Sequence, residues 1–201
     1  MTFEVVLATH NQHKVSEFQR ILGAAMPAIT VVAYDGPEPV EDGTTFAENA
    51  LIKARAAAAH TGLIALADDS GICVDILGGA PGIFSARWAG GRDSAENLAL
   101  LVAQLSDIAD PHRRAHFTCA IAIVAPDAPG RTGFEEVASG EWPGRLAAAP
   151  SGAHGFGYDP IFVPDGFAVT AAELAPEVKD AESHRARALA AAIPLLERLA
   201  V

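Results

Sequence analysis

The sequence predicts an α/β fold in which helices pack on a mixed, elongated central sheet. Segments with the apolar pattern of strands alternate with segments that repeat apolar residues at the period of a helix. Two further strand patterns, at 116–124 and 133–142, are separated by turn residues and predict an antiparallel hairpin. The 201 residues are expected to form a single domain, 1–201, with one core or with two lobes around a cleft.

The chain opens with a predicted strand, a polar loop and a helix. The apolar run 3–8 is followed by THNQHK, whose residues suit a loop. Apolar residues three and seven positions apart then predict an amphipathic helix, which Gly23 is expected to end. These apolar residues are Val15, Phe18 and Leu22. A second strand, 29–34, leads into DGPEPVEDG, an irregular acidic loop.

Start and stop signals define a second helix after the acidic loop. Thr45 and Glu48 have the spacing of a capping box, so the helix is predicted to begin near Phe46. It should run towards Gly62, because glycine commonly follows the last turn of a helix. The strand pattern 63–67 comes next.

The second half of the chain continues the alternation. Asp93 is a predicted helix cap, and the helix that follows has a clear apolar stripe. The stripe consists of Leu98, Leu101, Val102 and Leu105. The segment 116–124 is almost continuously apolar, as in a central strand buried on both faces. A final helix is predicted over 184–199, and Pro194 should kink or divide it.

The composition argues against several classes of protein. The formal net charge of -11 has the wrong sign for a nucleic-acid groove, but it permits a small polyphosphate held through a metal and local donors. Cys73 and Cys119 match no zinc-ligand spacing and are expected to be free thiols in a reducing compartment. No signal peptide or membrane-spanning segment is predicted. We therefore expect a cytoplasmic protein with no nucleic-acid or membrane partner.

THNQHK, at the end of the first strand, is a candidate phosphate site. Thr9 and Asn11 supply a hydroxyl and an amide, and Lys14 lies in the first helical turn, where free N–H groups attract anions. A capped strand-to-helix turn explains the same residues, because the stretch is not a Walker loop. His10 and His13 are spaced like metal ligands, but without a third ligand we expect them to be solvated.

LADDSGICVD places Asp68 and Asp69 side by side after an apolar run. Adjacent strand residues point to opposite faces, so the two carboxylates are expected to differ in function. One carboxylate could bind Mg²⁺, and the other could stabilise a turn through Ser70. A plain turn, without a metal site, is the alternative explanation for both aspartates. Which carboxylate faces the cleft stays open. A second metal carboxylate, unless the acidic loop is simply solvated, would be Glu38, Glu41 or Asp42.

Two later stretches combine flexible backbone, aromatic rings and cations. SGAHGFGYDP lets backbone approach a flat ligand while Phe156 or Tyr158 stacks on it, although a turn packed by aromatic rings has the same composition. KDAESHRAR places Lys179, His184 and Arg185 near the start of the last helix. Cations there oppose the helix dipole and so suggest a function, with surface decoration as the alternative.

Together these stretches resemble the inosine triphosphate pyrophosphatase family, which removes dITP, ITP and XTP from the nucleotide pool. The matching segments span the chain from the first strand to the last helix. In order they are LATHNQHKVSEF, TTFAENALIKA, ADDSG, GGAPGIFSARWAG, GFGYDPIF, AAEL and SHRARAL. The resemblance implies that the two lobes surround a nucleotide cleft, that Mg²⁺ is the cofactor and that the protein is a homodimer.

The resemblance also implies roles for individual residues. Asp69 would be the catalytic proton acceptor and a Mg²⁺ ligand, and Glu41 best matches the second metal carboxylate. The triphosphate would be held by Thr9, His10, Asn11, Gln12, His13 and Lys14. The rest of the substrate would be held by Ser70, Phe156, Gly157, Tyr158, Asp159, Lys179, His184 and Arg185. His10 stands where relatives commonly have glycine.

The implied reaction is hydrolysis of a nonstandard purine nucleoside triphosphate to the monophosphate and pyrophosphate. Water must attack the α-phosphorus in line with the departing pyrophosphate, so the site must neutralise charge and orient water. A bound cation lowers the basicity of Asp69, which is therefore expected to orient the attacking water. His184 and Arg185 are candidate donors to the 6-oxo group of the base, which adenine lacks. The alternatives are a pyrophosphatase for another modified nucleotide and a non-hydrolytic nucleotide sensor.

Overall fold

The computed structural model describes residues 3–128 and 132–200, and strands and helices alternate along them as predicted. The strands are β1 Phe3–Leu7, β2 Ile29–Ala33, β3 Ile64–Val74, β4 Arg114–Ala125, β5 Phe134–Leu146 and β6 Phe162–Pro164. The α-helices are α1 Gln12–Ala25, α2 Phe46–Thr61, α3 Ser94–Gln104, α4 Pro176–Glu182 and α5 His184–Glu197. Short 3₁₀ segments cover Asp75–Leu77, Gly82–Arg87 and Asp159–Ile161.

The strands form a six-stranded mixed sheet in the order β2-β1-β3-β4-β5-β6. β1 pairs in parallel with both β2 and β3, so that Val5 lies opposite Val31 on one side and Ile64 on the other. β5 and β6 are antiparallel, with Arg145 opposite Val163. Helices α1 and α2 lie between the parallel strands in the chain, as parallel connections require. The predicted mixed α/β fold is therefore confirmed.

The chain divides into two compact units, each made of separate stretches of sequence. The first unit contains Met1–Asp69, Cys119–Gly140 and Ala186–Val201, and the second contains Ser70–Thr118 and Glu141–Arg185. The boundaries fall inside β3, β4, β5 and α5 rather than in loops. The single domain over 1–201 and the cleft stay predictions.

In the first unit, successive strand residues enter two different apolar clusters. Leu66 of β3 packs in one cluster with Phe18 of α1 and Leu189 of α5. The next residue, Ala67, packs in another cluster with Ala54 of α2. Because side chains alternate between the faces of a strand, this pattern decides which helix each of the following residues can reach.

In the second unit, aromatic rings form the centre of the core. Trp142 and Phe162 are fully buried, with ring centroids 5.4 Å apart. Phe117 meets Phe162 edge to face at 4.7 Å, a favourable arrangement for two aromatic rings. Ile161 is also fully buried in this cluster, so the core holds the 3₁₀ turn Asp159–Ile161 that precedes β6.

The predicted ends of α2 are confirmed. Thr45 Oγ1 accepts a hydrogen bond from the backbone N–H of Glu48 at 3.1 Å. Gly62 has the left-handed φ of 71° and donates its N–H to the Ala58 carbonyl, which closes the last turn. Asp93 caps α3 in the predicted way, because its carboxylate accepts N–H groups of the first helical turn.

The predicted turn after Asp69 is wrong. β3 continues without interruption from Ile64 to Val74, so Ser70 and Gly71 are strand residues. Most of this strand is buried, and burial of a long pleated segment outweighs the local preference of Asp, Ser and Gly for turns. The two carboxylates therefore lie inside a strand and not at its end.

Helix boundaries differ from prediction in smaller ways. Gly23 does not end α1, which continues to Ala25. Pro194 lies inside α5, which is not divided there. The short elements β6 and α4 were not predicted, because three and seven residues are too few for a periodic pattern.

Both cysteines are free thiols, as expected. Cys119 is buried, and Cys73 is partly buried, which raises the pKa of its thiol. Among the described residues, no helix combines the length and hydropathy needed to cross a bilayer.

Candidate functional site

The loop between β1 and α1 is a capped turn. Thr9 Oγ1 accepts a hydrogen bond from the Asn11 N–H at 3.1 Å, and Asn11 Oδ1 accepts one from the Lys14 N–H at 3.4 Å. Gln12 begins α1 and is exposed. The capped turn is thus present. It is compatible with the predicted phosphate site, because the N-terminus of a helix attracts anions.

His10 contacts the acidic loop. Its Nε2 donates to the Gly36 carbonyl at 3.0 Å, so Nε2 carries a proton, since a carbonyl only accepts. Its Nδ1 lies 3.5 Å from Glu38 Oε1, and its ring stacks on Tyr34 at 5.9 Å. Both nitrogens of His10 therefore face this loop. The side chain of His13 lies outside what the structure describes.

Asp68 is a buried carboxylate held by Lys14. The Lys14 ammonium lies 2.8 and 3.0 Å from the two carboxylate oxygens, and the Asp68 side chain is 3% exposed. By the alternation of β3, Asp68 shares the face of Leu66, which packs against α1. The pair joins β3 to the first turn of α1. Asp68 therefore positions Lys14 and does not hold a turn through Ser70.

Asp69 belongs to a different cluster, which lies beside α2. The Lys53 ammonium is 3.4 Å from Asp69 Oδ1 and 3.3 Å from Glu41 Oε2. The buried side chain of Asn49 donates to Asp69 Oδ2 at 3.3 Å. The predicted metal ligands, Glu41 and Asp69, thus both contact the Lys53 ammonium. Glu41 Oε2 and Asp69 Oδ1 can be no farther apart than the sum of their distances to the Lys53 nitrogen.

Burial and charge act in opposite directions on this cluster. Burial raises the pKa of Asp69; the Lys53 ammonium lowers it and Glu41 raises it, so the pKa lies above its ordinary value. Burial lowers the pKa of Lys53, but the carboxylates of Asp69, Asp68 and Glu41 raise it by more, which leaves it above its ordinary value. Lys53 therefore remains an ammonium ion near neutral pH.

The donor set suits a hard cation. Two carboxylates, Glu41 and Asp69, are what Mg²⁺ uses in many phosphate-binding sites, where water and phosphate oxygens complete its shell. In the described part of the chain no group of three or more His, Cys, Asp or Glu residues is placed to hold a metal ion. Of the other two candidates, Glu38 faces His10 and Asp42 is exposed.

In the second unit, Asp159 and Lys179 shape the glycine-rich stretch. Asp159 is buried; its Oδ2 accepts the Phe156 N–H at 2.8 Å and forms a very short ion pair with the Lys179 ammonium. Gly155 adopts φ 77°, and a Cβ there would collide with the Asp159 carboxylate. Glycine is needed at this position for both reasons.

The Phe156 ring is presented to solvent. It is 68% exposed, which is unusual for a phenylalanine, and the Lys179 ammonium lies 5.3 Å from its centroid. An exposed ring supported by a cation is a suitable platform for stacking a flat ligand. The neighbouring Gly157 has φ 62°, a backbone conformation that favours glycine.

Tyr158 is buried, unlike Phe156. Its hydroxyl donates to the Ser85 carbonyl at 2.8 Å, and burial raises its pKa to about 12. Ser85 is itself buried, and its hydroxyl accepts the Ile72 N–H at 2.9 Å. Tyr158 therefore anchors the glycine-rich stretch to the 3₁₀ segment Gly82–Arg87, and its ring is not presented to solvent.

His184 and Arg185 begin α5 and are 8% and 6% exposed, so they are not surface decoration. The His184 ring stacks on Phe117, with centroids 4.8 Å apart and an interplanar angle of 12°. Stacking on Phe117 restricts the plane of the imidazole ring. Ser70, in β3 of the same unit, is half-buried.

Sequence reasoning missed Asn49 and Lys53. They are four residues apart on α2, so they lie on one face of the helix, and both reach Asp69. The other buried residues of α2 are alanines, so Asn49 is a polar exception, but only the structure shows that it is buried. A buried amide needs partners, which indicates a site.

The fold and these clusters define an α/β protein with a candidate anion site, a candidate cation site and an exposed aromatic platform. The chain belongs to the Ham1 family, whose model matches residues 5–195.

Relatives support this assignment along the whole chain. The dITP/XTP pyrophosphatase of Leifsonia xyli subsp. xyli is 64% identical over 97% of this chain and 96% of its own length, and that of Streptomyces coelicolor is 52% identical over 97% and 98%. A HAM1 protein of Coxiella burnetii superposes with a TM-score of 0.86 at 40% identity, covering 98% of this chain and all of its own. The predicted family relationship is confirmed.

Proposed function

We propose that this protein hydrolyses nonstandard purine nucleoside triphosphates (dITP, ITP and XTP) to the monophosphate and pyrophosphate. Full-length relatives named dITP/XTP pyrophosphatase support the reaction. The observation that carries the proposal on this chain is the cluster in which Glu41 and Asp69 share the Lys53 ammonium. Hydrolysis at phosphorus needs charge neutralisation and an oriented water, and this cluster offers carboxylates and a cation for both.

Mg²⁺ would be held by Asp69 and Glu41 and would supply neutralisation of the charge on the triphosphate and on the departing pyrophosphate. Asp69 orients the attacking water, because a bound cation lowers the basicity of its carboxylate and leaves it unsuited to act as a strong base. Lys53 balances the negative charge of the two carboxylates and keeps them close enough for a shared role.

The loop at the start of α1 binds the triphosphate in this proposal. The N-terminus of α1 offers backbone N–H groups, and Lys14 offers an ammonium ion held in place by Asp68. Thr9, His10 and Asn11 of the loop, together with Gln12 and His13 of the first turn of α1, complete this part of the proposed site. The buried Asp68 carboxylate restricts the position of the Lys14 ammonium. An ammonium has three N–H donors, so the pair does not use all of them.

Residues of the second unit bind the base and ribose. Phe156 stacks on the base, and Asp159, which pairs with Lys179, holds the backbone N–H of Phe156 in position beside Gly157. His184 and Arg185 donate to the 6-oxo group of hypoxanthine or xanthine, which adenine lacks. Ser70 contacts the substrate from β3. Tyr158 contributes indirectly, through its bond to the Ser85 carbonyl.

A pyrophosphate-release assay tests the function. We expect turnover of dITP, ITP and XTP, little turnover of ATP or dTTP, and loss of activity when EDTA removes Mg²⁺. Asp69→Asn should reduce kcat by at least about 100-fold while the protein stays folded. Preference for a modified pyrimidine would identify another pyrophosphatase, and nucleotide binding without any pyrophosphate would identify a sensor; either result would reject the proposal.

The remaining proposals concern assembly and location. We propose a homodimer in the cytoplasm, without nucleic-acid or membrane partners. Light scattering during gel filtration should give twice the chain mass of 20.8 kDa. A mass of a single chain at micromolar concentration would contradict the dimer.

A further inference from the structure

Asn49 connects a predicted metal ligand to the acidic loop. Its side chain is buried, and both of its polar groups are used. The amide Nδ2 donates to Asp69 Oδ2 at 3.3 Å, and Oδ1 accepts the Gly43 N–H at 2.9 Å. Gly43 is two residues after Glu41. One side chain therefore bonds to one of the two predicted metal ligands and to the backbone two residues away from the other.

Gly43 fits against Asn49 because it has no side chain. A Cβ at this position would lie 2.7 Å from Asn49 Oδ1 and 2.7 Å from the Glu48 Cβ. Such contacts are closer than van der Waals packing permits, so the loop would have to move away from α2. The constraint at Gly43 is space, since its φ is not in the left-handed region.

The same end of the acidic loop is also bonded to Glu48. Both the N–H and the hydroxyl of Thr44 donate to Glu48 Oε2, at 2.6 and 2.7 Å. These bonds fix the loop to the first turn of α2, but they do not reach Asp69. Lys53 links the Glu41 and Asp69 side chains, and Asn49 links Asp69 to the loop backbone at Gly43.

We propose that Asn49 is a positioning residue that sets the spacing between Glu41 and Asp69 and thereby the affinity of the site for a divalent cation. The proposal rests on the proposed function, because it takes these two carboxylates as the metal ligands. An amide is required here: it donates to Asp69 and accepts from Gly43, whereas an aspartate would face Asp69 with a like charge. Partners that orient metal ligands affect metal affinity about 10- to 100-fold.

Two variants break the contact from its two sides. Asn49→Ala removes the bonding groups, and Gly43→Ala pushes the loop away while leaving Asn49 intact. We expect each to weaken binding of Mn²⁺, a probe for Mg²⁺, about tenfold in calorimetric titrations of the full chain without nucleotide. Both substitutions disrupt the same contact, between Asn49 and Gly43. The double variant should therefore bind Mn²⁺ no more weakly than whichever single variant binds it less tightly.

Turnover gives a second readout. At saturating Mg²⁺ the kcat of either variant should stay within about threefold of the wild type, while the Mg²⁺ concentration for half-maximal activity rises about tenfold. A merely structural role for Asn49 would lower the unfolding midpoint and leave that concentration unchanged.

Asn97 provides a matched control. It is buried in the first turns of α3, where its Oδ1 accepts the Ala89 N–H at 2.6 Å and its Nδ2 donates to the Ala86 carbonyl at 3.2 Å. Like Asn49 it holds the loop before its helix, but it lies in the second unit and not with Asp69. Asn97→Ala should lower the unfolding midpoint and leave Mn²⁺ affinity unchanged.

The outcomes separate two failures. If the wild type binds no Mn²⁺, the proposed metal site is wrong and the positioning role falls with it. If the wild type binds Mn²⁺ and folded Asn49→Ala binds it equally well, only the positioning role is wrong. Additive losses in the double variant would also overturn it. If Asn49→Ala does not fold, unchanged Mn²⁺ affinity of Gly43→Ala decides against the proposal and a tenfold loss decides for it.

Discussion

At the scale of single residues, the adjacent carboxylates of Asp68 and Asp69 belong to two different ion clusters. Asp68 pairs with Lys14, and Asp69 shares Lys53 with Glu41. Breaking a buried pair leaves an uncompensated charge, which costs more than the pair contributes when it is intact. Each lysine therefore affects both stability and the electrostatics of the site.

Lys53→Met should abolish most activity. The substitution keeps the length and apolar stem of the side chain but leaves Glu41 and Asp69 without their shared cation, so kcat/KM should fall about 100-fold. Steady-state kinetics with dITP measures this. Arg55→Met is the control, because Arg55 lies on the same helix but pairs with Glu135 at the surface. A similar loss in both variants would show that the effect is not specific to the cluster.

Tyr158 should titrate far above an ordinary tyrosine. Burial raises its pKa to about 12, so the stability that depends on its neutral form is complete below its ordinary pKa of 10.0 and is lost as pH rises towards 12. Ultraviolet absorbance of the folded protein should therefore show no tyrosinate from Tyr158 near pH 10. Tyr158→Phe removes the late transition, and the unfolded chain should titrate normally; an ordinary pKa in the folded protein would contradict the burial.

At the scale of elements, α2 is defined by its ends and by its buried face. Thr45 begins it, Gly62 ends it, and small alanines let it approach the sheet closely. The same helix carries Asn49 and Lys53, so its register decides whether both reach Asp69. Substitutions that disturb either end of α2 would therefore affect the contacts of Asn49 and Lys53 with Asp69 as well as the stability of the protein.

Two substitutions test the ends of α2. Thr45→Ala removes the acceptor for the Glu48 N–H and should lower the free energy of unfolding by about 1 kcal/mol. Gly62→Ala forces a Cβ into left-handed backbone and should cost about 1–2 kcal/mol, although the Cβ would touch nothing within 4 Å. Urea denaturation measures both. Thr45→Asn should retain stability, and loss equal to that of Thr45→Ala would argue against the cap.

At the scale of the whole molecule, burial of large side chains in each unit sets stability. Phe18 is fully buried in the first unit and Trp142 in the second. A domain has only about 5–15 kcal/mol of net stability, so one large cavity removes much of it. The acidic surface, with a formal net charge of -11, contributes to solubility rather than to the fold.

Phe18→Ala should lower the free energy of unfolding by about 3–5 kcal/mol, because it removes a buried ring and leaves a cavity beneath α1. Urea denaturation followed by circular dichroism measures the change. Leu100→Ala serves as the control, since its side chain is already substantially exposed and its removal should cost less than about 1 kcal/mol. Equal losses would mean that Phe18 is not in the main core.

The candidate site was only partly predictable. Phe156, Lys179 and His184 could be chosen from the residue types and from the resemblance, and their roles stay predictions. Tyr158 was chosen in the same way, but its side chain is buried and its hydroxyl donates a hydrogen bond to the Ser85 carbonyl. Asn49 was missed because its partners are distant in the sequence, and no local pattern marks a bond to Asp69.

The sequence alone determined the alternation of strands and helices, the ends of α2 and the family, because caps, periodic apolar residues and ordered motifs act over a few neighbouring positions. Only the tertiary structure decided that β3 runs through Asp68 and Asp69, and that one carboxylate pairs with Lys14 and the other with Lys53. Those pairings join residues that are 16 to 54 positions apart. They depend on how helices pack on the sheet, and burial can override a local turn preference.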